Sequence, residues 1–176
     1  MIYKFRVLSD EDELFLRDFD VDSESTFLTL HKAIQENLGF DPSQLVSFFL
    51  ADEHWNKGME LTLIDMQNDT GLAAIPMDKV KIKELITKRK ERLLYTYDIF
   101  ADRNLFIELI DIAEAKEGIE YPLCTASLGE APIQVADDII LDFDAENDEK
   151  NEIDELFDEF NDDDFDSLGF EDDSEF

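Results

Sequence analysis

Tyr3, Phe5 and Val7 alternate with Lys4 and Arg6, the period-two pattern of a half-buried strand. Ser9-Asp10-Glu11-Asp12 is a polar turn, and Phe15, Arg17, Phe19 and Val21 continue as a second strand, so the pair predicts a hairpin. Asp22-Ser23-Glu24-Ser25-Thr26 then offers several N-cap residues. From Phe27 the period changes. Phe27, Leu30, His31, Ile34 and Leu38 fall at i, i+3, i+4, i+7 and i+11, one face of a helix, and Gly39 stops it. Residues 45–50 are a short apolar run with Phe48 and Phe49, and Met59, Leu61 and Leu63 alternate with Glu60 and Thr62; both predict strands. Asn68-Asp69-Thr70-Gly71 breaks the chain, and residues 78–92 are polar and helical in part. Residues 93–99 and 105–112 complete a second antiparallel pair. The order strand, strand, helix, strand, strand, short helix, strand, strand predicts an α+β fold: an antiparallel sheet covered by one long helix, with a β-grasp-like arrangement.

Beyond Val135 the pattern ends and charge takes over. Residues 136–176 hold 20 acidic residues and a single base, Lys150, whereas residues 1–135 hold 26 acids and 14 bases. Repulsion at that density opposes compaction, so the sequence divides into a folded domain at 1–135 and a mostly disordered acidic tail at 136–176. The tail nevertheless carries six of the fifteen phenylalanines. Acids interleaved with aromatics make a segment that stays solvated alone and buries its rings on a partner. Ile153, Leu156, Phe157 and Phe160 share one helical face, frayed until it meets a groove, and with Phe176 they are the candidate partner-binding residues.

A net charge of −31 disfavours direct nucleic-acid binding and docking on anionic membranes, since both need basic side chains. No apolar run is long enough to span a bilayer, and one cysteine forms no internal disulfide, so the expected setting is the reducing cytoplasm. Seven of the fifteen bases nevertheless crowd into residues 79–92, ending in Lys88, Arg89, Lys90 and Arg92. The plain reading is a solvated face paired with Glu84 and Glu91; the sharper ones are a small nucleic-acid footprint or a dock for the acidic tail.

Little else in the chain suggests chemistry. His31, His54 and Cys124 are too scattered for a transition-metal site. His31 reads as a hydrogen-bonded core residue, His54 as a surface loop residue, and Cys124 as a buried structural thiol. Calcium-loop patterns starting at Asp144 and Asp162 lack the glycine at their sixth position. Asp98 and Asp102 read as caps of a turn. Neither a nucleophile elbow nor a phosphate-cradling loop is present, so no cofactor and no catalytic residue is expected.

Several segments carry a likeness to a known family. Residues 26–35 of the helix, Phe40-Asp41, Leu45-Val46-Ser47-Phe48, Leu94-Tyr95-Thr96-Tyr97-Asp98, residues 102–109 and Tyr121-Pro122-Leu123-Cys124 occur in the order of the plasmid pRiA open-reading-frame-three-like family. The chain resembles that family over about residues 1–135. Many members carry Tyr-Asp-Phe-Gly-Asp followed by Trp and His, and a second cysteine. Here Tyr97-Asp98-Ile99-Phe100-Ala101, Arg103 and Leu105 stand at the first set, and Gly129-Glu130-Ala131-Pro132 follows Cys124. The resemblance implies no activity. The reading is therefore a non-enzymatic interaction protein whose acidic tail binds a basic or nucleic-acid-handling partner, with an enzyme of unknown reaction or a nucleic-acid mimic as alternatives.

Overall fold

The computed structural model describes residues 1–65, 74–134 and 148–161. In chain order the elements are β1 (Ile2–Ser9), β2 (Leu16–Asp22), α1 (Phe27–Leu38), β3 (Ser47–Ala51), β4 (Lys57–Thr62), β5 (Ile75–Pro76), α2 (Ile82–Leu85), β6 (Arg92–Asp98), β7 (Arg103–Ala113), β8 (Leu123–Leu128) and α3 (Asp148–Asn161). One eight-stranded sheet joins every strand in the order β5-β4-β3-β6-β7-β1-β2-β8. All neighbours are antiparallel except β4 and β5.

The fold is α+β, but the sheet dominates. The twelve residues of α1 make a rod of only about 18 Å at 1.5 Å per residue, while eight strands spaced about 4.8 Å apart span roughly 34 Å. A single long covering helix, as in a β-grasp, is therefore not what this sheet carries. Two strands escaped the sequence pattern. β5 is two residues long, and β8 alternates small and polar residues with leucines at its ends.

The main core lies on one face. Tyr3, Phe5 and Val7 of β1, Tyr95 and Tyr97 of β6 and Leu105, Ile107 and Leu109 of β7 pack there against Phe27, Leu30, Ile34 and Leu38 of α1. Gly39 ends the helix at φ 66, a left-handed position where a side chain would be strained, and its N–H returns to the carbonyl of Gln35. His31 is buried in this core, its Nδ1 2.9 Å from the Tyr95 hydroxyl. Cys124 on β8 is half-buried against the same core, its thiol donating to the Ala126 carbonyl, and burial pushes its pKa up.

The opposite face is not simply wet. Leu8, Leu16, Trp55, Leu94 and Phe106 form a second buried cluster there, completed by Ile153 and Phe157 of α3. Within the predicted acidic tail, residues 148–161 form a fourteen-residue helix that lies against the sheet. Phe176 lies outside the described residues.

Candidate helix-docking groove

Four strands build the floor of this groove. Register places Asp18 of β2 opposite Arg6 of β1, Arg6 opposite Glu108 of β7, and Glu108 opposite Arg92 of β6. The result is a transverse row of charges, minus, plus, minus, plus, across the sheet. Each residue alternates with core residues along its strand, so all four side chains share the face that α1 does not cover. Arg6 and Asp18 form a two-pronged pair, Nε to Oδ1 at 2.9 Å and Nη2 to Oδ2 at 2.8 Å. Arg92 donates from Nε to Glu108 Oε2 at 3.1 Å. Glu108 is fully buried; its Oε1 has no hydrogen bond but lies 3.6 Å from the Lys90 ammonium.

Trp55 forms the wall. It sits in the turn between β3 and β4 at φ 61, a conformation that costs a bulky residue about 1–2 kcal/mol. Asp52 holds the turn: its carboxylate accepts from the backbone N–H groups of His54 and Asn56 and from the Asn56 amide. Those hydrogen bonds, chiefly from Asn56, lower the Asp52 pKa. The indole is thereby presented to the groove, edge-on to Phe106 at 5.1 Å and with the Arg92 guanidinium 4.5 Å over its ring. His54 is exposed on this loop, as its position in sequence suggests.

α3 fills the groove with the predicted face. Ile153 and Phe157 are buried, and Leu156 and Phe160 are half-buried against the same cluster. Phe157 stacks on Trp55 with ring centres 5.5 Å apart and planes 20° from parallel. Asp154 Oδ1 accepts from Trp55 Nε1 at 3.1 Å and forms an ion pair with Arg92 Nη2 at 2.9 Å. At the far end Arg6 Nη1 donates to the carbonyl of Phe160 at 2.8 Å. α3 has no base in its last turn, so its C-terminal carbonyls lack a cation of their own. Arg6 supplies it from the sheet.

The balance of energies is modest. Nucleating a helix costs about 4 kcal/mol at σ near 10⁻³, and propagation along a solvated helix is close to neutral. Two fully and two half-buried large side chains return about 5–8 kcal/mol. Docking is favoured by a few kcal/mol, enough to populate it and little enough to be competed away. Phe157→Ala should therefore destabilise only up to that ceiling, because the helix can leave instead. Trp55 is the chain's sole tryptophan, and its emission should shift to the red in that variant. Unshifted emission would mean that Phe157 does not cover the indole.

The basic segment behaves unevenly. Of the four bases singled out, Arg92 meets α3, through Asp154. Arg89 pairs with Asp111 and donates to the Ile110 carbonyl, and Lys90 approaches Glu108. Upstream, Lys81 and Lys83 both bind Glu24, and these contacts, Lys83 first, lower the Glu24 pKa to about 2. The segment is not one helical face, since α2 covers only four residues. Sequence reasoning missed Trp55, Arg6, Asp18 and Glu108.

A second ionic knot lies at the start of β7. Arg103 is clamped by Glu11 at 2.6 and 2.7 Å, approaches Asp98 at 3.7 Å, and lies over the Tyr97 ring. Asp98 also accepts from the Ala101 N–H, and Asp102 binds Lys57, as turn residues do. Among the described residues no group of three His, Cys, Asp or Glu side chains could hold a metal ion, and no helix is long and apolar enough to cross a membrane.

The profile of the family described as plasmid pRiA4b ORF-3-like protein matches residues 1–172. The chain belongs to that family. The match runs past the folded sheet and through α3, further than the likeness read from residues 1–135. A solved relative of the fold is a protein of unknown function from Methanosarcina mazei Go1. It is 26% identical with a TM-score of 0.61, the alignment covering 74% of this chain and 71% of the other. No curated protein matches this family member.

Proposed function

We propose that this chain is a non-enzymatic interaction protein of the cytoplasm whose acidic C-terminal helix is its recognition element. The observation that carries this reading is the division of α3 into two faces. Ile153 and Phe157 are buried on the sheet, while Glu152, Glu155, Asp158 and Glu159 are exposed. A basic or nucleic-acid-handling protein is the complement of such a surface. Asp154 is 41% exposed, so an incoming base can reach the carboxylate that Arg92 holds and loosen the helix from its groove. Direct nucleic-acid binding is not favoured, because Lys81, Lys83, Arg89 and Arg92 are already paired with carboxylates of the domain.

Titration with a short poly-lysine, followed by Trp55 emission, tests the reading. Binding should weaken at least tenfold in Glu155→Gln/Asp158→Asn/Glu159→Gln. The control Glu114→Gln/Glu117→Gln/Glu120→Gln removes the same charge from an exposed loop and should change it little. Equal weakening in both variants would reduce the interaction to net charge and overturn the proposal.

A further inference from the structure

We infer that the groove beneath α3 is itself a receptor for an amphipathic helix supplied by another protein, with α3 as its built-in competitor. This rests on reading the chain as an interaction protein, and it names the chemistry of a second partner, distinct from the basic one.

The groove reads a helix at three points, and α3 displays the answer to each. Trp55 offers a flat ring for an aromatic side chain, met by Phe157. Trp55 Nε1 and Arg92 Nη2 converge on one carboxylate oxygen three residues earlier, met by Asp154. An indole N–H and a guanidinium converging on one oxygen select an acid with a short stem, since a longer side chain would have to fold back to reach them. Arg6 takes a carbonyl at the helix end, met by Phe160. Between these points Leu8, Leu16, Leu94 and Phe106 supply the apolar part of the floor, beside the charged row. The matching ligand is an apolar residue followed directly by Asp, with an aromatic three positions after the Asp, close to a helix C-terminus. Glu152, Glu155, Asp158 and Glu159 are exposed and are not part of this code.

Once α3 leaves, the vacated site is an apolar cleft crossed by the row Asp18, Arg6, Glu108 and Arg92, in which Arg6 Nη1 loses the Phe160 carbonyl and Arg92 Nη2 loses Asp154. Such a cleft selects an amphipathic helix that returns one carboxylate to Trp55 and Arg92 and a terminal carbonyl to Arg6. A tethered competitor acts at an effective concentration near millimolar, so the closed chain discriminates against weak ligands and admits those offered after α3 has been drawn off.

The test uses the full-length chain opened by Ile153→Asp/Phe157→Asp and a fluorescein-labelled peptide of residues 148–161. The opened chain should bind the peptide with a micromolar Kd, at least tenfold tighter than the wild type does. Asp154→Asn or Phe157→Ala in the peptide should each weaken binding at least tenfold. Glu152→Gln/Glu155→Gln/Asp158→Asn/Glu159→Gln in the peptide should bind no more weakly than the parent. If circular dichroism shows the opened chain unfolded, Leu156→Ser/Phe160→Ser replaces it with the same expectations. Absence of binding to a folded, opened chain overturns the inference, as does insensitivity to Asp154→Asn. Wild-type dimers that dissociate on Arg92→Gln would make the occupant a second copy and also overturn it. The poly-lysine titration is independent of all these results, so the groove assignment can fail while the recognition role of the acidic face stands.

Discussion

Asp18→Ala is expected to destabilise the fold by about 3–5 kcal/mol, the range for removing one partner of a buried ion pair. Both side chains are almost fully buried, at 6% and 5% exposure for Arg6 and Asp18, and the carboxylate takes two guanidinium N–H groups. Deleting it leaves a guanidinium shut in beneath α3. The cost is therefore dominated by the charge imbalance left in the buried row and not by the lost attraction. Two consequences separate this account from simple loss of packing. Arg6→Met/Asp18→Leu should recover most of the stability, because an apolar pair of similar volume carries no such penalty. The same double variant should still loosen α3 and shift Trp55 emission to the red, because the Arg6 hydrogen bond to the Phe160 carbonyl is lost. Urea midpoints and emission spectra of the three proteins decide; a loss below 1 kcal/mol for Asp18→Ala would count against the pair as a buried one.

Acid should weaken the domain through His31. Burial lowers its pKa from 6.5 to about 4. Between those values the unfolded chain holds a proton that the folded chain refuses, so stability is full above pH 6.5 and falls as pH drops towards 4. The total is on the order of 3 kcal/mol, from about 1.4 kcal/mol per pKa unit. Many carboxylates also titrate over that range, so the informative quantity is the difference between wild type and His31→Gln. The variant keeps a polar partner for Tyr95 and should lose the component of the slope between pH 6.5 and 4. Identical slopes in the two proteins would show that His31 charges freely in the folded state.

The main core was legible because one period at a time governs it. Tyr3, Phe5 and Val7 alternate cleanly, and α1 shows five apolar-face positions bounded by Thr26 and Gly39. The second face was legible only in part. Leu93-Leu94-Tyr95 and Leu105-Phe106-Ile107 are apolar at both parities, the mark of strands covered on two sides, and this is the signal that could have revealed a second cluster. The charged row hid the rest. Arg6, Asp18 and Glu108 look like solvent-facing residues until register sets them side by side, and register depends on long-range pairing that no local window contains. Charge showed only half of the seat of α3. Its apolar face was visible and the basic segment suggested a dock for it, but of the four bases singled out it is Arg92 that meets α3, and the second arginine beneath it, Arg6, lies on β1 far away in sequence. β8 carries too few large apolar residues to announce itself.

The charged row also has a meaning for how the chain finds its fold. A slip of β1 by one residue against either neighbour would turn Arg6 into the aromatic core, where no carboxylate awaits it. Asp18, Arg6, Glu108 and Arg92 thus behave like the teeth of a key that fits one alignment of four strands. Two of those teeth, Arg6 and Arg92, also grip α3. Correct threading of the sheet and seating of the helix are therefore coupled, so a chain paired out of register would also lack the groove that receives α3.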